Sequence, residues 1–299
     1  MFKKKSFGPQ KSNKLKSQYR RYTRSKFGNF TFFVFLTLMG LFSVLPLIYC
    51  IITSLKPLEE LLVFPPKFWV ERPTFKNYEV LPSLLSSLRV PVSRYIFNSV
   101  FVALVSTVMH ILAASGAAFV FSKSNLRHKK LLFAIVQFAL LYNSYTLAIP
   151  QYLIFSKTNI IDSYWVYILP AIPSAMGCFL MKQYVDMSIP DALLEAAKID
   201  GAGIIRIFIQ IVMPLIKPAW LTLFLFSFRD MWSIIPGGTI FSEELKTLPQ
   251  VMSSLTAGGI ARSGSAMAAT VILMIPPIVV FWCTQSNVME TMSSSGIKG

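Results

Sequence analysis

Residues Phe27–Leu55, FGNFTFFVFLTLMGLFSVLPLIYCIITSL, form a long run without a charged side chain. A bilayer core of about 30 Å needs roughly 20 apolar residues in helical form, so this run is long enough to cross a membrane. The whole chain of 299 residues is only 14% charged, against roughly a quarter in an average soluble domain. Similar uncharged runs follow at Tyr95–Ser122, Leu131–Ser156, Ser163–Met181 and Ser263–Met289. Together these runs predict a membrane protein.

A sixth apolar run, Pro218–Ser242, is interrupted only by the adjacent charges of Arg229 and Asp230. Membrane-spanning segments are helices or barrel strands, because backbone groups in hydrocarbon must bond to one another. Barrel strands alternate over about ten residues, whereas these runs are longer and do not alternate. We therefore predict an all-α, polytopic membrane protein with six transmembrane helices. The expected spans are residues 29–55, 95–122, 131–154, 163–184, 216–236 and 264–287.

The net charge of +16 is concentrated at the amino end of the chain. Ten basic residues precede Phe27, and no acidic residue accompanies them. A basic segment beside an apolar helix marks the cytoplasmic side of a membrane, so we reject a nucleic-acid-binding interpretation. Six spans then place both termini in the cytoplasm, together with the basic segment 123–130, KSNLRHKK. We expect a basic cytoplasmic tail, residues 1–27, followed by a membrane domain, residues 28–299.

The predicted cytoplasmic segment 188–214 has the pattern of a helix, a tight turn and a second helix. Ser188 is the expected N-cap of the first helix, and Asp191 suits its first turn. Gly201 is expected to make the turn, since glycine adopts positive φ at low steric cost.

The sequence offers no pattern for catalysis. It contains no GxxxxGK[ST] phosphate-binding loop, no His, Cys, Asp and Glu spacing typical of a metal site, and no recognisable pairing of nucleophile and base. We therefore expect no enzymatic activity, no cofactor and no metal in this chain, and any energy source must come from a partner.

Residues 195–214, EAAKIDGAGIIRIFIQIVMP, resemble the EAA loop of ABC importer permeases. The matching positions are Glu195, Ala196, Ala197, Gly201, Ile211 and Pro214, and Met213 stands where the pattern usually has Leu. The stretch Asp200-Gly201-Ala202 is similar to the carbohydrate branch of that family, as are Asn98-Ser99 and the ending 296–299. The resemblance covers nearly the whole chain and implies the type I permease fold of ABC importers.

The resemblance implies a multi-subunit transporter in the cell membrane. Its other parts are a second permease subunit, two copies of an ATP-binding subunit and an external binding protein that delivers the sugar. In this family the EAA loop docks into a groove of the ATP-binding subunit, which uses ATP and Mg²⁺. The similarity to complex-polysaccharide and oligosaccharide permeases favours an oligosaccharide. Two other classes stay open: a secondary, ion-coupled carrier, which would need an ion relay within its spans, and a membrane-embedded enzyme or receptor.

Two clusters are candidates for the sugar path, which needs aromatic faces and groups that bind hydroxyls. Arg229 and Asp230 are expected near the middle of the fifth span, with Trp232 as a stacking face. Neighbouring helical residues point about 100° apart, so we expect this pair not to meet face to face, and at least one of the two to face the bundle interior or a water-filled path. The second cluster, in the third span, consists of Tyr142, Asn143 and Tyr145. Helix packing and interhelical bonding are an equally good interpretation of both clusters.

Overall fold

A computed structural model describes residues 26–86, 90–142, 144–256 and 262–295 of the chain. Within these ranges every regular element is a helix and no strand occurs, which confirms the predicted all-α class. The predicted basic tail lies almost wholly in residues 1–25, outside the described ranges. The chain divides into two compact units, 1–48 and 49–299, and the packing described below is that of residues 49–299.

The described helices, α1 to α14, follow one another along the chain. The first half of the chain contains α1 (Lys26–Ser54), α2 (Leu58–Leu61), α3 (Lys76–Ser86), α4 (Val92–Lys123), α5 (Lys129–Ala139) and α6 (Ala148–Lys157). The second half contains α7 (Trp165–Ala171), α8 (Ala175–Ser188), α9 (Asp191–Ile199), α10 (Ile204–Ile207), α11 (Met213–Leu215), α12 (Lys217–Trp232), α13 (Leu248–Thr256) and α14 (Ser263–Ser295). Turns of 3-10 helix occupy Ser144–Leu147 and Glu243–Leu245, and a π-helical turn occupies Phe208–Val212.

Three described helices are long and apolar enough to cross a membrane, namely Gly28–Ser54 within α1, the whole of α4, and Ser263–Gln285 within α14. Two bent pairs, α7 with α8 and α10–α11 with α12, raise this number to five if each pair crosses once. The first, second and sixth expected spans are therefore present as single helices, while the expected total of six is not confirmed.

The third expected span, residues 131–154, is not one continuous helix. Helix α5 ends at Ala139 and α6 begins only at Ala148, with a 3-10 turn between them. Proline lacks an N–H, and its ring clashes with the preceding helical turn. Pro150 therefore fits the first turn of α6 and disfavours a helix that runs on through it.

The fourth expected span is bent, by 40° between α7 and α8. Pro173 lies at the break, and Ser174 caps the new helix by accepting the Gly177 N–H at 3.0 Å. The fifth expected span, 216–236, ends early at Trp232, and Pro236 follows it. Proline soon after a helix end is common because it cannot continue the helix.

Helix α4 packs against α7, α8 and α12. One hydrophobic cluster joins Ile111, Ala114 and Ala118 of α4 to Met181 and Val185 of α8, and it also includes buried residues of α12. Small residues let membrane helices approach closely, which agrees with the two alanines at this contact. Helix α4 is thus the central helix against which both α8 and α12 pack.

The amino end of α4 is fastened to the segment 239–248 through Asn98. The Asn98 Nδ2 donates to the carbonyl of Glu244 at 2.8 Å and to that of Lys246 at 2.9 Å. Its Oδ1 accepts a hydrogen bond from the Tyr164 hydroxyl at 2.7 Å. Because this fully buried amide uses both of its ends, it clamps α4, the start of α7 and the segment 239–248 together.

Candidate coupling loop and substrate path

The helix-turn-helix expected within residues 188–214 is present as α9 and α10. Gly201 has a φ of +79°, in the left-handed region that favours glycine. The last turn of α9 is closed by the Asp200 N–H on the Ala196 carbonyl and by the Ala202 N–H on the Ala197 carbonyl, both at 3.0 Å. The predicted turn at Gly201 is confirmed, and Gly203, just before α10, has an ordinary negative φ.

The expected N-cap of α9 is wrong. Ser188 is the last residue of α8, and Pro190 precedes α9 without a capping side chain. Helix α8 continues past the predicted span end at residue 184, so Ser188 lies within it. Asp191 does occupy the first turn, as predicted, and its carboxylate lies 2.7 Å from the Lys123 ammonium at the end of α4.

This ion pair between α9 and α4 joins residues that are 68 positions apart, and sequence reasoning missed it. The Lys123 hydrogen bond and charge lower the pKa of the Asp191 carboxyl from its ordinary value. The first turn of α9 also favours a carboxylate, because helix N-termini carry partial positive charge. The only signal in the sequence was a basic residue at the start of one predicted cytoplasmic segment, 123–130, and an acidic residue near the start of another, 188–214.

One face of the helix-turn-helix is buried against the rest of the chain. Leu194 of α9, Ile207 of α10, Val212 and Ile216 belong to the same hydrophobic cluster as the α4 and α8 residues. Ala197, which is half-buried, packs against this cluster as well. The buried face fixes the orientation of both short helices.

The opposite face of the helix-turn-helix is exposed and strongly apolar. Ile199 at the end of α9 is 86% exposed, and Ile204 and Ile205 at the start of α10 are 69% and 73% exposed. Exposed aliphatic side chains grouped in this way mark an interaction surface. The predicted coupling residues Glu195, Ala196, Asp200, Gly201 and Pro214 are exposed too, whereas Ile211 is half-buried.

The helix-turn-helix is joined to α12 by a sharp bend of 80°. The π-helical turn Phe208–Val212 precedes the bend, and sequence reasoning did not anticipate it. Pro214 and Pro218 lack N–H groups, which loosens the backbone ladder around Ile216. The Trp220 indole N–H donates to the Met213 carbonyl at 3.1 Å, and this hydrogen bond stabilises the bend.

Arg229 and Asp230 lie side by side near the end of α12. The Arg229 Nη2 is 3.0 Å from the Asp230 Oδ1, and the Nε is 3.2 Å from it. The expectation that this pair does not meet is wrong, because the long arginine side chain curls back to reach its neighbour despite the different Cβ directions. Both side chains are more than half exposed, so neither faces the interior of this chain.

Trp232 occupies a different environment from its charged neighbours. Its side chain is 5% exposed, and its indole N–H donates to the Leu273 carbonyl of α14 at 3.0 Å. The ring stacks on Phe228, with centroids 6.0 Å apart. A sugar could therefore stack on Trp232 only if α12 and α14 separate.

The third-span cluster is described only in part. Tyr142 follows α5 and is exposed, and its ring contacts Phe138 edge-on with centroids 5.7 Å apart. Asn143 and the side chain of Tyr145 lie outside the described residues. Within the described part of the chain no hydrogen bond, ion pair or ring contact joins Tyr142 to Arg229 or Asp230.

Comparison with known proteins places the chain in a class. No protein-family model matches it. The sulfoquinovosyl glycerol transport system permease protein SmoH of Agrobacterium fabrum is 30% identical over 264 residues, which cover 87% of this chain and 90% of the relative. The galactooligosaccharides transport system permease protein GanQ of Bacillus subtilis is 31% identical over 290 residues, which cover 94% and 98%.

A solved structure has the same fold. It is a bacterial ABC transporter involved in the import of the acidic polysaccharide alginate, with a TM-score of 0.68, 22% identity, and coverage of 88% of this chain and 98% of that one. The chain belongs to the family of permease subunits of sugar-transporting ABC importers. This confirms the family expected from the EAA loop, and an ion-coupled carrier is not favoured.

Proposed function

We propose that this chain forms half of the transmembrane path of an ATP-driven importer for an oligosaccharide. A second permease subunit supplies the other half, two copies of an ATP-binding subunit use ATP and Mg²⁺, and an external binding protein delivers the sugar. The chain crosses the cell membrane six times with both termini in the cytoplasm, and α5 with α6 makes the third crossing. The names of relatives that transport sulfoquinovosyl glycerol and galactooligosaccharides support a glycoside substrate.

The observation that carries the coupling role is the exposed apolar face of the helix-turn-helix. Full burial of one isoleucine side chain contributes roughly 1.5–3 kcal/mol before the costs of association. Ile199, Ile204 and Ile205 therefore offer an ATP-binding subunit a compact hydrophobic contact, and Glu195 offers a hydrogen-bond acceptor beside it. The buried face and the Lys123–Asp191 pair hold this surface rigidly, as a push on the membrane helices requires.

Exchange of one exposed isoleucine for a charged residue tests this docking. We expect Ile205→Asp to abolish co-purification of the ATP-binding subunit in detergent, because a carboxylate would be buried without a partner. Leu126→Asp is the matched control, since Leu126 is an exposed apolar residue in the connection between α4 and α5. Retention of the ATP-binding subunit by Ile205→Asp, at the level of Leu126→Asp, would exclude docking through this face.

We propose that the Arg229–Asp230 pair lines the sugar path. An exposed charge on a membrane helix costs about 2.5–3.5 kcal/mol if it faces lipid, so this face of α12 fits a polar path or a partner subunit. Asp230 accepts hydrogen bonds from sugar hydroxyls, and Arg229 donates to hydroxyls or to the carboxylate of an acidic sugar. Tyr142, Asn143 and Tyr145 contribute from the third crossing, and Trp232 becomes a stacking face when α12 and α14 separate.

Arg229→Gln distinguishes a path residue from a structural one. If Arg229 lines the path, the complex assembles with normal yield and melting temperature, while uptake and binding-protein-stimulated ATPase activity fall. If Arg229 only joins helices or subunits, Arg229→Gln lowers the yield and the melting temperature of the assembled complex. Lys217→Gln, at the exposed start of the same helix, is the control for a lost positive charge. Full uptake at full stability in Arg229→Gln would refute both roles.

A further inference from the structure

The connection between α1 and α3, residues 55–75, exposes large aromatic side chains. Phe64 is 91% exposed and Trp69 is 69% exposed, and Phe68 and Phe75 are exposed as well. Leu62 and Val63, the two residues before Phe64, are also exposed and extend this apolar surface. A stretch so rich in exposed aromatic rings is unusual where a loop meets only water.

The exposure is not a result of a loose backbone, because internal contacts hold this loop together. The Glu60 carboxylate accepts the N–H of Arg72 at 2.8 Å and that of Glu71 at 3.1 Å. The Lys56 ammonium, which is almost fully buried, donates to the Lys67 carbonyl. Polar contacts thus fix the backbone of the loop, while the rings of Phe64 and Trp69 remain exposed.

Both ends of the loop are tied to the point where α1 ends. The Thr74 N–H donates to the Leu55 carbonyl at 2.8 Å. The Asn77 Nδ2 donates to the Ser54 and Lys56 carbonyls, each at 2.8 Å. Because Ser54 is the last residue of a helix long enough to span the bilayer, the loop leaves and rejoins the chain at the depth where that helix emerges.

We propose that the loop 62–69 lies in the membrane interface beside the end of α1, with the rings of Phe64 and Trp69 inserted among the lipid headgroups and upper acyl chains. Aromatic residues, tryptophan above all, are enriched at this depth because their rings are apolar while an N–H or hydroxyl stays hydrated. The charges nearby suit such a position, since Lys67 and Glu71 form an ion pair at 2.5 Å and largely neutralise each other. The partner of this surface is therefore lipid, which goes beyond the transport role.

Fluorescence quenching by lipids tests this placement in the assembled transporter. Cys50, Cys178 and Cys283 are replaced by alanine, and Phe64→Cys is labelled with bimane in phosphatidylcholine nanodiscs. The expected result is loss of emission with lipids that carry a spin label near the headgroup, smaller loss with a spin label deep in the acyl chain, and weak quenching by aqueous iodide. Glu59→Cys, at an exposed acidic position of α2 in the same connection, is the control and should respond to iodide instead.

Trp69→Cys provides a second probe position in case the Phe64 variant does not assemble. If both positions respond to iodide as the Glu59 position does, the loop is in water and the proposal is overturned. If both are shielded from iodide but unaffected by spin-labelled lipid, or become shielded only when the binding protein is added, the surface contacts protein and the proposal is overturned as well. Lipid quenching is read without transport, so its outcome is independent of the sugar and of ATP coupling.

Discussion

Gly177 of α8 lies so close to His110 of α4 that a Cβ at this glycine would be 2.7 Å from the imidazole Nε2. The other ring nitrogen, Nδ1, is 2.8 Å from the carbonyl of Ala171, the last residue of α7. A carbonyl only accepts, so Nδ1 carries the proton. The buried ring therefore fills the space at the α7–α8 break and satisfies a carbonyl that the break leaves without its helical partner.

We expect Gly177→Ala to destabilise the packing of α8 on α4. Insertion of a methyl group into a closed contact costs typically about 1–3 kcal/mol, and here the contact is with a held ring rather than a free side-chain end. The melting temperature of the purified complex measures the effect. Gly116→Ala on α4 is the control, since among the described residues no atom comes within 4 Å of its added Cβ. Equal melting temperatures for the two variants would contradict the close approach.

Removal of the imidazole should also destabilise the break. His110→Ala leaves the Ala171 carbonyl buried without a donor, at a cost of about 1–3 kcal/mol. Val108→Ala, at an exposed position on the same helix, removes apolar volume without a hydrogen bond and should have a small effect. The same thermal unfolding measurement compares them, and an His110→Ala transition as high as that of Val108→Ala would show that the hydrogen bond is unimportant.

Gly201→Val should impair coupling while leaving the membrane helices inserted. A β-branched residue at positive φ costs about 1–2 kcal/mol or more, so the turn between α9 and α10 would shift to relieve the strain. ATPase stimulation by the sugar-loaded binding protein is the readout. Gly203→Ala is the matched control, because Gly203 has a φ of −68° that alanine adopts freely. Normal stimulation and uptake in Gly201→Val would remove this turn from the coupling mechanism.

The Lys123–Asp191 pair should contribute stability that depends on pH. The pKa of Asp191 is lowered from its ordinary value of 3.8 by the Lys123 hydrogen bond, so the pair stabilises the folded chain fully above that ordinary value. The contribution is lost as the pH falls below it, through the lowered pKa of the folded state. The melting temperature of Asp191→Asn should therefore lie below that of the unsubstituted chain at pH near neutrality and approach it in acid.

Asp200→Asn controls for the pH experiment, since Asp200 is an exposed carboxylate of the same segment that has no ion pair among the described residues. Its melting temperature should follow that of the unsubstituted chain at every pH. A difference between Asp191→Asn and the unsubstituted chain that persists unchanged into acid would show that the effect does not come from the ion pair.

The sequence predicted the features that depend on local chemistry. Length and apolarity alone were enough for α1, α4 and α14, and glycine's freedom at positive φ was enough for the turn at Gly201. Features that depend on distant partners were not predictable: the Lys123–Asp191 pair and the contact of His110 with Gly177 join separate helices. The prediction that Arg229 and Asp230 do not meet is wrong for another reason. The Cβ directions of neighbouring residues do not limit where the end of a long arginine side chain lies.

Helix α4 is bound to another segment near each of its ends. Asn98 near its start bonds to the segment 239–248, and Lys123, its last residue, pairs with Asp191 of α9. Its 32 residues extend about 48 Å as one uninterrupted rod. A rod that tilts about its middle moves its two ends in opposite directions. A small sideways displacement of α9 therefore reaches the segment 239–248, near the other end of α4, as a swing in the opposite direction, by leverage alone and without any chain of rearranging side chains between them.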